Sequence, residues 1–341
     1  MSRWRSERPL ADRRFEMHLD NIDQKLLNRL QVKFPLVPQP YACIGQELGI
    51  PEDEVIRRIG RLKTDGFIRQ IGPLLDASKI GYKTTLVAMS VVESELEKVT
   101  QLLAVYPVSH AYERNHHFNL WFTLAIPATA DTDDELRKMV SPLEAEACFS
   151  LPALKLFKLR VYFSSGGDEQ TEIVDNPERK TILQDTKLSP GDRRIINEIQ
   201  QDLPLVSHPF RDMAARLEMN EESFLEQCQS LLSRGIIRCF SIAVNHRQVG
   251  FTANGMACWP VSKEKVELAG QRLASLKEVS HCYERRINSL WKYNLFAMIH
   301  GHTREECQQI ADKVSAEMGL TDGILLFSTR EFKKTRLKYP V

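Results

Sequence analysis

The sequence lacks the features of a membrane-bound, secreted or metal-stabilised protein. Its longest apolar stretches, such as residues 86–92, fall far short of the roughly 20 residues that cross a bilayer. The seven cysteines are odd in number and form no CxxC pair, which predicts reduced thiols rather than a disulfide framework or a zinc site. The first residues are basic and interrupted by acids, without the apolar segment of a signal peptide. These absences favour a cytoplasmic, water-soluble protein.

The chain also lacks a surplus of charge of one sign. Lys and Arg number 46 and Asp and Glu number 45, for a net charge of +1. Proteins that bind nucleic acid usually carry a basic surplus, because their affinity comes mainly from neutralising phosphates. The 341 residues, 43% of them hydrophobic and 27% charged, indicate two or three ordinary globular domains. The overall balance argues against general nucleic-acid affinity, although it is compatible with a local basic patch.

One sequence pattern occurs twice in the chain. Residues 23–41 (DQKLLNRLQVKFPLVPQPY) and 192–210 (DRRIINEIQQDLPLVSHPF) are identical at seven of 19 positions, and most other positions exchange similar residues. The register continues through each copy and resumes as SHAYER at 109–114 and SHCYER at 280–285. Between the copies, residues 164–190 are polar and rich in turn formers. An internal duplication joined by a linker follows from this pattern.

Each copy predicts the same two domains. Apolar residues recur on one helical face at Ile22, Leu26, Leu27 and Leu30, and two further short helices and a basic, apolar ribbon follow. That order is typical of a winged helix-turn-helix, and the strand–helix–strand–strand–helix–strand order after it is ferredoxin-like. The predicted fold class is therefore α+β, a tandem duplication of these two domains. We expect winged helix-turn-helix domains at 19–76 and 191–245, ferredoxin-like βαββαβ domains at 82–163 and 250–332, and a linker at 164–190.

Several predicted elements of the βαββαβ domains matter for the site. In the first copy, we expect a strand at 117–126, a helix at 133–147 and a final strand at 154–163. In the second copy, the strand that follows the SHCYER motif is expected at 290–300.

This domain order, opened by an LDxxDxxLLxxLQ-like helix at 19–31, resembles the Lrp/AsnC family of transcription regulators. Three longer strings resemble the siroheme decarboxylases, in a form with both subunit types fused. They are FPLVPQPY at 34–41, GFIRQIGPLLDASKIGYKTTLVAM at 66–89 and HAYERNHHFNLWFTL at 110–124. The resemblance implies that the βαββαβ domains pair as an internal pseudo-heterodimer and bind siroheme.

The resemblance also implies an activity. It is the removal of CO₂ from two acetate side chains of siroheme, giving 12,18-didecarboxysiroheme for heme d1 or alternative heme biosynthesis. The implied cofactor requirement is none beyond the iron of the siroheme substrate, and further homo-oligomerisation is left open. Two alternatives stay open: an Lrp/AsnC-type transcription regulator that senses an amino acid or a tetrapyrrole, and a non-catalytic heme or tetrapyrrole sensor.

The predicted recognition helices begin with acidic residues. A DNA-reading helix needs Arg, Lys, Asn or Gln at its start, where it enters the major groove. The acids are also explained as solvated first turns stabilised by the helix dipole, and in either case they oppose phosphate. We therefore expect no specific DNA binding. The acids are Glu52, Asp53 and Glu54 in the first copy and Glu221, Glu222 and Glu226 in the second.

Both copies contain the spacing HxYxR on a predicted strand. Side chains two residues apart on a strand share a face, so each row presents an imidazole, a phenol and a guanidinium together. Arg binds carboxylates in bidentate fashion, and His serves as an iron ligand or a proton donor. The alternative is a half-exposed polar row on the outer surface of a sheet, which the repetition disfavours. The rows consist of His110, Tyr112 and Arg114, and of His281, Tyr283 and Arg285.

These rows supply the predicted catalytic residues. We expect the two His and the two Tyr side chains to act in catalysis, with His110 and His281 as candidate ligands of the substrate iron. Arg114 and Arg285 are expected to bind the carboxylates of the substrate.

Further substrate-binding candidates flank the rows. His116 and His117 follow the first row, where strand alternation allows at most one of them to join it. The second copy has Arg286 at that place, so the halves are not chemically equivalent. Arg160 and Arg330 lie at matched positions on the final strands and add positive charge.

Other basic side chains are interpreted as structural. We expect Arg69 and Arg238 in the wings to be surface cations, and His300 and His302 to be turn and cap residues.

Overall fold

The computed structural model describes residues 19–143, 145–159, 187–245 and 253–341 of the chain. Most of the predicted linker, and Arg160, lie outside these residues. The predicted duplication is confirmed, because the described parts form the same sequence of helices and strands twice.

The first winged helix-turn-helix comprises α1 (Asn21–Val32), α2 (Pro40–Leu48), α3 (Glu52–Thr64) and strand β1 (Ile68–Leu75). Helix α1 begins with a capping box in which Asp20 accepts a hydrogen bond from the backbone N–H of Asp23 at 2.7 Å. Helix α2 ends at Gly49, whose φ of 70° requires the left-handed conformation that glycine adopts without strain.

The first βαββαβ domain comprises β2 (Tyr82–Val91), α4 (Leu96–Val105), β3 (Val108–Arg114), β4 (Leu120–Pro127), α5 (Thr132–Val140) and β5 (Ala145–Leu159). The sequence prediction extended the second helix to residue 147, and this is wrong. Pro142 follows the helix end, and Phe149 and Leu151 already alternate into the interior as part of a strand. The predicted start of β4 at 117 is also wrong, because residues 115–118 form a turn.

The second copy repeats the order. Its helix-turn-helix comprises α6 (Pro190–Ile199), α7 (Pro209–Arg216), α8 (Glu221–Ser233) and β6 (Ile237–Val244). Its βαββαβ domain comprises β7 (Ala253–Trp259), α9 (Lys263–Ala274), β8 (Val279–Arg285), β9 (Leu295–Gly301), α10 (Arg304–Met318) and β10 (Ile324–Lys333). Strand β9 begins five residues later than the sequence predicted (290 against 295), because Asn288 accepts a backbone hydrogen bond from Leu290 and bridges Trp291 in a turn.

The eight strands of the two βαββαβ domains close into one barrel, in the order β10-β3-β4-β2-β5-β8-β9-β7. Strand β5 pairs with β2 of its own half and continues alongside β8 of the other half, where Leu156 faces Tyr283. Strand β10 pairs with β7 of its own half and also lies alongside β3 of the other half, where Ser328 faces Arg114. Because each half contributes a strand to the other, the inner faces of both sheets enclose one shared interior.

The two faces of each sheet have different partners. The outer face of the first sheet packs its apolar side chains, including Val87 and Phe122, under helices α4 and α5. The inner faces instead contain an aromatic cluster built from both halves, with Trp121 and Trp291 in edge contact at 5.0 Å. Burial of each such ring stabilises the fold by roughly 2–3 kcal/mol, so the cluster holds the two halves together.

The two helix-turn-helix domains also form one unit. Their wings β1 and β6 pair antiparallel, and a single apolar core extends through both domains. Residues 202–207 of the second domain pack along one flank of α3: Lys63 pairs with Asp202 at 2.5 Å, and Ser207 donates a hydrogen bond to Glu52 at 2.9 Å. The arginines of α3 are ion-paired as well, since Arg57 contacts Glu54 and Arg58 contacts Asp23.

Two further expectations concern the whole chain. All seven cysteines lie among the described residues and are free thiols. Within the described parts, no helix has the length and apolarity that a membrane span requires.

We predict that the protein does not bind DNA specifically. The recognition helix α3 carries an acidic first turn, its arginines are neutralised by carboxylates, and one flank is covered by the other half. Electrophoretic mobility measurements at ~150 mM salt should show no retardation of DNA from the region upstream of the protein's own gene. A tight, sequence-specific footprint would contradict this and would favour a regulator.

Candidate active site

The HxYxR rows of β3 and β8 lie inside the barrel. The guanidinium carbon of Arg114 lies 5.5 Å from the centre of the Tyr112 ring, and that of Arg285 lies 4.6 Å from the Tyr283 ring. Both guanidinium groups lie within electrostatic range of the Cys258 thiol on β7. The alternation expected from the sequence therefore places Tyr and Arg of both halves in one interior.

The histidines of the rows lie on irregular parts of their strands. The pairing of β3 with β4 shifts between Ser109 and Tyr112, and His110 has a φ of 52°. A non-glycine residue in this left-handed region costs roughly 1–2 kcal/mol, so surrounding contacts must hold it there. The pairing of β8 shifts similarly between Val279 and His281.

The two row histidines lie near each other. The His110 side chain is exposed and His281 is half-buried, although protein atoms lie around both rings. Burial lowers the pKa of His110 to about 4 and that of His281 to about 3, and the proximity of His110 lowers the pKa of His281 further. At neutral pH both imidazoles are therefore uncharged in the free protein.

The two row arginines, Arg114 buried and Arg285 partly buried, have no acidic partner among the described residues. Arg114 is 4% exposed and donates to the carbonyl oxygen of Leu326 at 2.8 Å, and Arg285 donates to that of Leu151 at 2.8 Å. The Nε atoms of both arginines have no hydrogen-bond partner, and no carboxylate among the described residues forms an ion pair with either. Burial lowers the pKa of each to about 10, so both remain charged at pH 7. Uncompensated buried charge of this kind is suited to an anionic ligand.

The end of the barrel near His110 faces the helix-turn-helix pair. Arg69 of wing β1 pairs with Glu331 at 2.7 Å and donates to the carbonyl oxygen of Lys334 at 3.0 Å. The positive charge of Lys334 lowers the pKa of His110 and of His281. Arg69, expected as a surface cation, is thus a partly buried contact between the two kinds of domain.

The sequence interpretation missed His300. It was expected as a turn or cap residue at the end of the predicted 290–300 strand, but its side chain follows Phe296 and Met298 on the inner face of β9. His300 is 5% exposed and lies 2.7 Å from the Ser280 hydroxyl. The alternation of these three residues was the available signal. The expectation for His302 fits better, because its backbone N–H donates to Glu306 just before α10.

The flanking candidates do not join the rows. His116 lies in the turn at the far end of β3, where its Nδ1 accepts from the N–H of Phe118 at 3.0 Å and its ring meets Trp291 at 5.5 Å. His117 is exposed beside Phe118. Arg330 is exposed and lies over Phe332, which packs on the helix-covered face of the sheet.

Arg286 lines a separate cavity. This cavity has a volume of about 600 Å³ and lies between α5, β5 and the loop at 286–290. Its charged lining is mixed, with Lys83 and Arg137 alongside Asp131 and Asp133. Arg286 therefore does not share the interior with Arg114 and Arg285.

We predict that the row arginines cost stability. Arg114→Met or Arg285→Met removes a desolvated charge with an unsatisfied donor and should raise the free energy of unfolding by about 1 kcal/mol. The control is Arg58→Met, which breaks contacts to Asp20, Asp23 and Glu54 and should lower it by about 2 kcal/mol. Urea unfolding measures both effects. A loss of stability in the row variants as large as in the control would show that these arginines stabilise the fold.

Comparison with known families and proteins agrees with this architecture. A model described as the AsnC-like ligand binding domain matches residues 79–158 and 248–333. A model described as the siroheme decarboxylase NirDL-like HTH domain matches residues 23–69 and 192–238. The four matches coincide with the two copies of each domain.

Individual relatives match the whole chain or one half of it. A siroheme decarboxylase from Hydrogenobacter thermophilus is 39% identical over 323 residues, 94% of this chain and 96% of that protein. The crystal structure of the siroheme decarboxylase NirDL in complex with an iron-uroporphyrin III analogue is 37% identical, with a TM-score of 0.69, covering 94% of this chain and 95% of that one. The siroheme decarboxylase NirH subunit of Paracoccus pantotrophus is 41% identical over 150 residues, 43% of this chain and 93% of its own length. The sequence resemblance is therefore confirmed, and the chain belongs to the siroheme decarboxylase family, with two subunit-like halves fused in one polypeptide.

Proposed function

We propose that the protein removes CO₂ from two acetate side chains of siroheme to give 12,18-didecarboxysiroheme, for heme d1 or alternative heme biosynthesis. The observation that carries this proposal is the pair of charged arginines, one buried and one partly buried, that share one barrel interior without an acidic partner among the described residues. Siroheme carries several carboxylates around an apolar ring, so it supplies the anions that the arginines lack and an apolar surface that matches the aromatic cluster. The relative that contains an iron-uroporphyrin III analogue supports a tetrapyrrole as ligand.

The charged and the apolar side chains of the interior have different roles in the proposed reaction. Arg114 and Arg285 hold carboxylates by charge-assisted hydrogen bonds and so orient the macrocycle. The aromatic cluster around Trp121 and Trp291 is mostly apolar: the Trp121 indole N–H is already bonded to the carbonyl oxygen of Phe118, and the unpaired Nε1 of Trp291 is a single neutral donor that compensates little of an acetate's charge. A carboxylate placed there is destabilised relative to neutral CO₂, which favours cleavage of the bond between the methylene and the carboxyl carbon.

Each cleavage needs one proton. When the carbon–carbon bond breaks, CO₂ leaves and the electron pair stays on the methylene, from which it delocalises into the macrocycle. A proton from a nearby donor converts the methylene into a methyl group, so each acetate consumes one proton and yields one CO₂. We assign this donation to the His and Tyr side chains of the two rows.

The protonation state of the row histidines depends on the ligand. In the free protein their lowered pKa values, about 4 and about 3, keep them neutral at pH 7. Entry of a polycarboxylate adds negative charge beside them and favours protonation of an imidazole. An imidazole that ligates iron must be neutral, so the ligand and the proton donor are different rings, and we keep His110 and His281 as the two candidate ligands.

The other predicted contacts are less favourably placed. His116 and His117 lie at the far end of β3, Arg330 lies on the outer face, and Arg286 lies on the separate cavity. Arg160 lies outside the described residues. We therefore assign carboxylate binding first to Arg114 and Arg285.

We propose no cofactor beyond the iron of siroheme, no specific DNA partner, and an internal pseudo-heterodimer as the active unit. The free thiols of the chain fit a reducing compartment such as the cytoplasm. A transcription regulator is disfavoured by the covered flank and acidic first turn of α3. A non-catalytic tetrapyrrole sensor would use the same interior and differs only in releasing no CO₂.

The activity is tested by anaerobic incubation of the purified protein with siroheme. We expect the tetrapyrrole mass to fall by the mass of two CO₂ molecules, because two acetates become methyl groups. Mass spectrometry of the extracted pigment measures this, with heat-denatured protein as control. Tight binding of siroheme with no change of mass would identify a sensor instead.

The iron ligand is tested by absorption spectroscopy. We predict that siroheme binding shifts the Soret band and that His110→Ala or His281→Ala changes that shift, because an imidazole in the barrel interior can reach the iron. His302→Ala, outside the barrel interior, serves as control. If both single variants and the double variant give the wild-type spectrum, neither row histidine is the ligand.

A further inference from the structure

A hydrogen-bonded chain of three side chains occurs in the second half of the barrel. The Ser280 hydroxyl lies 2.7 Å from Nδ1 of His281 and 2.7 Å from Nε2 of His300. Ser280 is 1% exposed and His300 is 5% exposed, so the chain is removed from bulk water. Its His281 end is one of the two row histidines.

The first half has only part of this chain. Ser109 lies 3.0 Å from Nδ1 of His110, as Ser280 does from His281. The position equivalent to His300 holds a different residue in the first half, as the strand register shows. Val108 pairs with Leu124 and Val279 pairs with Ile299, so the next residues on the partner strands, Ala125 and His300, are equivalent. Ala125 is fully buried and has no group to exchange a proton.

The geometry restricts where the protons lie. A hydroxyl has one proton, so Ser280 donates to one imidazole nitrogen and accepts from the other. When Ser280 donates to Nδ1 of His281, the other nitrogen of His281, Nε2, carries its proton. His300 then donates to Ser280 through Nε2. Each ring therefore fixes the tautomer of the other, which Ala125 cannot do for His110.

We infer that Ser280 and His300 are positioning residues that fix the tautomer of His281 and resupply its proton, so that the second half provides the proton for decarboxylation. The inference rests on the proposed function. The proton balance is complete when the pair of histidines takes up one proton from water before cleavage. His281 Nε2–H then gives its proton to the methylene, Nδ1 receives one from Ser280, and Ser280 receives one from His300. The pair ends neutral, and the methylene has become a methyl group.

The test compares Ser280→Ala and His300→Gln with Ser109→Ala, the matched change in the first half. Gln keeps an N–H donor toward Ser280 but cannot take up a second proton. Single-turnover decarboxylation of siroheme is measured in mixtures of H₂O and D₂O, and binding is measured separately by Soret titration. We expect Ser280→Ala and His300→Gln to slow the reaction by about 10- to 100-fold with little change in binding. We expect Ser109→Ala to slow it far less.

The isotope dependence separates a relay from a structural role. Several protons move together in the wild type, so a plot of its rate against the deuterium fraction of the solvent should be curved. Ser109→Ala should give a plot of the same curvature. For Ser280→Ala and His300→Gln, the plot should be a straight line. If His300→Gln unfolds, Ser280→Ala, which removes one oxygen, carries the test alone.

The inference would be overturned if Ser280→Ala and His300→Gln reacted as fast as Ser109→Ala, or if their rates showed the same curved dependence on deuterium as the wild type. The proposed decarboxylase activity would be unaffected by that result. A wild-type protein that binds siroheme without releasing CO₂ would overturn the proposed function itself.

Discussion

Strands β5 and β10 each pair with both halves of the molecule, and this exchange closes the barrel. Without it, each half would expose the edge of a sheet and an inner face of aromatic and charged side chains to water. Closure brings the Tyr and Arg side chains of both HxYxR rows into one interior and shields them in large part from bulk solvent. The pairing of the two halves is thus the condition for a site that neither half encloses alone.

That enclosure gives the site its electrostatic character. Two guanidinium groups keep their charge in a region that has no compensating carboxylate among the described residues, and the nearby histidines are held neutral. An interior of this kind is unfavourable for the free protein and favourable for a polyanion with an apolar body. Arg69 of the helix-turn-helix pair contacts the segment around Lys334 near His110, which gives that domain pair a structural place beside the site.

The sequence was sufficient for the duplication, the domain order and the rows, because these depend on local periodicity and on repetition. It was insufficient wherever contacts between distant segments determine the structure. The end of α5 follows from the start of β5, whose first residues pair with β2, a contact that no local pattern reveals. The place of His300 was missed because a histidine beside Gly301 and His302 suggests a turn or cap residue, whereas the barrel encloses the inner face of β9 on which it lies. His116 and Arg330 have the right chemistry, but the turn at 115–118 and the path of β10 place them elsewhere.

The central claim is that the buried arginines exist to bind a polycarboxylate tetrapyrrole. The most direct measurement is the affinity of the Arg114→Met/Arg285→Met double variant for iron-uroporphyrin III, determined by absorption titration beside the wild type. Loss of two buried charge-assisted contacts should weaken binding by at least about 100-fold, at roughly 1.5–3 kcal/mol for each contact. An affinity equal to that of the wild type in a folded double variant would contradict the account and place the tetrapyrrole outside the barrel interior.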